Sequence, residues 1–83
     1  MKSEQEQFEE YFFFLDSLRE SGVTNMYGAA PYLKRAYRLN QRFAGDVLVL
    51  WMKTFPARGT TVAMSARVDE ALKMKREKEG RKG

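Results

Sequence analysis

The sequence predicts an all-α fold: a three-helix core of helix-turn-helix type over about residues 4–21, 28–38 and 41–55, with a C-terminal helix over about 61–79. Leu33, Tyr37, Leu39, Ala44 and Val47 fall at the spacing that buries one side of two short helices crossing around a tight turn. The polar positions between them are mostly Lys and Arg. Cap and stop residues bracket each periodic stretch at the intervals that helices need.

The first helix opens with Ser3 and Glu6, a capping-box pair, and stops at Gly22. Phe8, Tyr11, Phe12, Leu15 and Leu18 recur on one stripe, with Phe14 at its border. Phe13 points to the opposite side, among Glu6, Glu9, Glu10, Asp16 and Glu20. A second helix is expected from Gly28 or Ala29 to Tyr37 or Arg38, with Pro31 in its first turn, where a missing N–H costs no intrahelical bond. Its inward face is Ala29, Leu33, Ala36 and Tyr37, and its solvated face is Lys34, Arg35 and Arg38.

Asn40 caps the third helix, and Pro56 and Gly59 terminate it. Phe43, Ala44, Val47, Leu48, Leu50, Trp51 and Phe55 cover more than half its circumference, which makes it the central helix. A linker over 56–60 then divides the chain into a core (1–58) and a C-terminal helix with basic tail (59–83). Thr60 or Thr61 is the expected cap of this fourth helix, whose stripe of Met64, Val68, Ala71 and Leu72 is thin. The end, from Lys73 onward, is expected to fray.

At 83 residues the chain makes one small domain at most, and its 43% hydrophobic content is enough for a core. The longest apolar run in the third helix, Val47 to Met52, falls far short of a bilayer span, and the acidic Met1–Glu10 does not read as a signal peptide. With no Cys and no His, thiolate and imidazole chemistry is excluded, and with it zinc sites and Ser-His or Cys-His triads. No enzymatic activity, cofactor or metal is expected.

Charge is unevenly distributed. Residues 1–20 hold six acidic against two basic side chains, net −4, whereas residues 21–83 hold thirteen basic and five acidic, net +8. An acidic head on a basic body points to a polyanion surface in the body. The expected duplex-DNA surface comprises Lys34, Arg35, Arg38, Gln41, Arg42, Gly45 and Lys53. Gln suits adenine and Arg suits guanine, and Gly45 would let a backbone approach closely. Asp46 is expected to pair with Arg42 one turn away, to repel phosphates, or to accept from cytosine. Lys34, Arg35, Arg38 and Lys53 are phosphate-contact candidates, as are Lys73, Lys75, Arg76, Arg81 and Lys82 in the tail. Two features depart from the usual motif: Arg38 stands where Gly is commonest, and Lys34 where Ala or Gly permits close helix crossing.

The strings Leu18–Leu33 and Trp51–Phe55 resemble those in small uncharacterised proteins of tailed bacteriophages, over roughly residues 10–55. Those proteins often carry Gly-Leu-Ser at the turn where this chain has Arg38-Leu39-Asn40. The resemblance implies origin more than function, and a location in the cytoplasm of a bacterial host.

The leading expectation is a small DNA-binding regulator, dimeric through the first or fourth helix. One alternative is a phage-type inhibitor of a host protein (a nuclease complex or the transcription machinery). It would dock through Phe13, Glu9, Glu10 and Asp16 on the acidic face. Another is an assembly subunit whose aromatic stripe packs between protomers.

Overall fold

The computed structural model describes residues 2–80, with side chains described through Lys78. Four α-helices follow in order: α1 (Glu4–Ser21), α2 (Ala30–Tyr37), α3 (Gln41–Thr54) and α4 (Met64–Gly80). No strand occurs among the described residues. Arg81 and Lys82 lie outside them.

Helix α1 starts where the capping box requires. The Ser3 hydroxyl accepts from the Glu6 amide at 3.2 Å, and the Glu6 carboxylate accepts from the Ser3 amide at 3.0 Å. Gly22 closes the helix in the left-handed region, at φ 73°. The connector then tightens into a single 3₁₀ turn, Met26–Gly28, because the Asn25 side chain accepts from the Gly28 amide at 2.8 Å. This turn delays α2 to Ala30, a residue or two later than Gly28 or Ala29. A Cβ on Gly28 would lie 2.6 Å from the Thr24 hydroxyl, so any larger residue there forces Thr24 to move.

Arg38 ends α2 at φ 56° and ψ 44°, the one non-glycine residue with positive φ among those described. A side chain in this region carries a steric cost. Two contacts hold it there: the Leu39 amide donates back to the Lys34 carbonyl at 3.0 Å, and the Leu39 side chain packs against the core. Asn40 then accepts from the Phe43 amide at 2.7 Å and starts α3. Helix α3 stops at Thr54 rather than Phe55, because the residue before Pro56 is driven out of the helical region and Phe55 is extended.

Phe8, Tyr11, Phe12 and Leu15 of α1 meet Leu33 of α2, Ala44, Val47, Leu48 and Trp51 of α3, and Val68, Ala71 and Leu72 of α4 in one cluster. The aromatic stripe of α1 is therefore spent inside the chain's own core. Tyr37 sits edge-on to both Tyr11 and Phe14, and Phe43 to both Phe8 and Tyr11. Ala36 corrects the expected inward face of α2. The packing runs along the row Ala29–Leu33–Tyr37, four residues apart, and leaves Ala36 exposed.

The fourth helix differs most from expectation. It is not capped by Thr60 or Thr61; residues 60–63 stay non-helical after a turn closed by the Thr60 amide on the Ala57 carbonyl, and the helix begins at Met64. Its thin stripe is buried, and the helix runs on through the stretch after Lys73 to Gly80. It packs on α1 and α3, whereas α2 packs on α3 and more lightly on α1. Because α2 and α4 share α3 without substantial contact with each other, they occupy opposite flanks of the α1/α3 pair.

A polar junction fixes that placement. The Asp16 carboxylate accepts from the Trp51 indole at 2.8 Å and from both terminal nitrogens of Arg67, at 2.8 and 3.1 Å. Arg67 is 5% exposed, with its guanidinium over the rings of Phe12 and Phe55. Asp16 is thus turned inward and is not part of an acidic docking face, because two donors buried on α3 and α4 claim both its oxygens.

Asp16→Ala should destabilise the fold by about 3 kcal/mol, since it strands a buried guanidinium, whereas Asp16→Asn keeps an acceptor for Trp51 and should cost less. Urea unfolding followed by Trp51 fluorescence measures both. Glu6 supplies a pH prediction. Hydrogen bonds from the Ser3 amide and hydroxyl hold its carboxyl below the ordinary glutamate range. A lowered folded-state value means the capping contribution is present above the unfolded Glu pKa and lost as pH falls through the folded one. NMR titration should find the Glu6 carboxyl below the ordinary glutamate range, and Ser3→Ala, which removes the hydroxyl contact, should move it back up.

Candidate nucleic-acid interface

The α2–turn–α3 unit is built from the turn outward. Leu33, Ala44 and Val47 are buried, and Tyr37 and Leu39 are half-buried, so all five expected positions face inward. The left-handed Arg38 and the Asn40 cap aim α3 away from α2 after a three-residue connection, residues 38–40. With its inward side held by Ala44, Val47, Leu48 and Trp51, α3 presents Gln41, Arg42, Asp46, Val49 and Lys53 to solvent.

The expected site residues divide into two groups. Lys34, Arg35 and Arg38 are exposed on α2 and its end. Arg42 and Lys53 are exposed on α3 and line an open groove of about 1040 Å³ against α4, together with Lys75 and Lys78. Gln41 is exposed in the first turn of α3. Gly45 is half-buried one turn later, and a Cβ there would meet nothing within 4 Å. Packing therefore does not require glycine at this position. Arg42 and Lys53 make no ion pair among the described residues, whereas Asp46 pairs with Lys78 of α4 at 3.8 Å and not with Arg42 as expected. The reason is tertiary: α4 lies alongside α3 and brings a cation to Asp46 that the chain's local spacing does not show.

On α1, Phe13 stands 56% exposed. Its neighbours are partly engaged within the chain: Glu10 pairs with Lys2, and Glu9 accepts from the Gln5 amide at 3.0 Å. With Asp16 turned inward, the acidic face is narrower than the charge count implies. Sequence reasoning did not single out Tyr27, 81% exposed in the connector, or Tyr32, 38% exposed in the first turn of α2. Both stand outside any apolar stripe, the one signal that could have marked them. Among the described residues no cluster of His, Cys, Asp or Glu could hold a metal ion, and no helix is long and apolar enough to cross a membrane.

Comparison with protein-family models, curated proteins and solved structures returns no match. The reading of this surface therefore rests on its own chemistry.

Arg38→Gly should raise stability by about 0.5–1 kcal/mol, since it removes the left-handed penalty at the turn. Gly45→Ala should add a similar amount, about 0.5–1 kcal/mol, because alanine favours the helix and its methyl has open space. Each gain should appear as a melting temperature higher by a few degrees.

Proposed function

We propose that the chain is a small DNA-binding regulatory protein that lays α3 in the major groove of a duplex. One observation carries this reading: a tightly connected helix pair buries its five apolar positions and leaves Gln41, Arg42 and Gly45 outward on the first two turns of α3. Gln41 suits adenine, Arg42 suits guanine, and Val49 offers an apolar contact for a thymine methyl. Lys34, Arg35 and Arg38 fit phosphates, which fix register without reading sequence. The glycine at 45, costly in a helix and free of any internal need, suits close approach of a nucleic-acid backbone. The proposal takes the regulator to be phage-encoded and to act in the host cytoplasm, with dimerisation supplying the area a single module lacks.

A second reading draws on Phe13. An aromatic that exposed, with Glu6 and Glu20 also exposed on its face, suits docking on a basic protein surface. Phe13→Ala abolishes such a complex without affecting DNA binding.

A salt titration against mixed-sequence duplex DNA, with RNA as control, tests the main reading. Binding should fall steeply, with a log–log slope of about −4 or steeper for roughly five neutralised phosphates. Arg42→Ala should relax sequence preference, at about 1–3 kcal/mol of lost discrimination, whereas Lys34→Ala should weaken all sequences alike. Gly45→Ala should weaken binding even as it stabilises the fold. Absent or salt-insensitive binding rejects the reading.

A further inference from the structure

A helix in the major groove has a sugar–phosphate strand on either side of it, so tight binding calls for cations on both flanks. Helix α2 supplies one flank through Lys34, Arg35 and Arg38. The opposite flank belongs to α4, and the groove between α3 and α4 carries Arg42 and Lys53 on one wall and Lys75 and Lys78 on the other. Asp46 and Glu77 also line it, which leaves the groove net positive.

We infer that the α3/α4 groove seats the second phosphate strand of the duplex, with Lys53 and Lys78 as its contacts, and that Lys78 leaves Asp46 for a phosphate on binding. This rests on the major-groove reading above. The Lys78–Asp46 pair suits exchange: its atoms are 3.8 Å apart and its side chains 80% and 50% exposed, so solvent screens most of its attraction. A phosphate offers Lys78 the same charge plus the entropy of released counterions. Helix α4 holds the lysine in reach, because Arg67 pins the helix to Asp16 about three turns earlier. The exchange also returns the Asp46 carboxylate to the groove, free to accept from a cytosine amino group.

The test compares wild type, the double variant K53Q/K78Q and D46N on labelled mixed-sequence duplexes across a range of salt. Both lysines are exposed, and circular dichroism checks that the fold persists. K53Q/K78Q should flatten the log–log salt slope by about two and lower affinity at least about tenfold near 0.1 M salt, equally for every sequence. D46N should bind mixed duplex a few-fold tighter, because it releases Lys78. If wild type binds steeply and K53Q/K78Q keeps both slope and affinity, the groove assignment is overturned while α3 remains the reader. If D46N binds no tighter, the exchange is overturned. Failure of wild type to bind DNA at all removes this inference together with the reading beneath it.

Discussion

One carboxylate, Asp16, holds three helices in register. Its two oxygens take the Trp51 indole from α3 and the fork of Arg67 from α4, so one group on α1 accepts from donors that both neighbours bury. An arginine 5% exposed is costly unless its charge is matched, and here the match is bidentate and backed by the faces of Phe12 and Phe55. Hydrophobic burial alone would let α4 slide or rotate, since Val68, Ala71 and Leu72 make a narrow stripe. The guanidinium fork admits one geometry. Every feature that depends on α4 inherits it, including the groove beside α3 and the lysine that reaches Asp46.

The turn between α2 and α3 is a second constraint, of a different kind. Arg38 adopts a backbone conformation that glycine would take more cheaply, and it stays there because Leu39 docks on the core and its amide closes onto Lys34. The turn thus gives up some stability and places a guanidinium at the start of the exposed ridge. Gly45 makes the same trade one helix later, leaving an open position where alanine would stabilise the helix. These two local costs, one at the turn that ends α2 and one in the second turn of α3, fall within eight residues of each other on the helix pair.

What was legible in the sequence follows the range of the interaction. Ser3 with Glu6, Asn40, Gly22 and Pro56 act within a few residues of themselves, and each helix end they mark is where they place it to within a residue or so. The stripe on α1 and the five apolar positions of the helix pair are equally local, because periodicity records which side of a helix meets the rest. Asp16 was misread for the opposite reason. Its own helix lists it with Glu9 and Glu20, and its true partners lie thirty-five and fifty-one residues away. Arg67 gave no signal, since a lone arginine in a basic segment looks like surface charge. The late start of α4 was not legible either: threonines at 60 and 61 could cap, yet the helix begins at Met64.

The charge asymmetry can be read the same way. Part of the basic body answers the acidic head within the chain: Arg67 is spent on Asp16 and Lys75 reaches Glu4 at 3.2 Å. These pairs consume cations of α4 and carboxylates of α1, the two elements in contact, and leave α2 and the outer ridge of α3 with their excess.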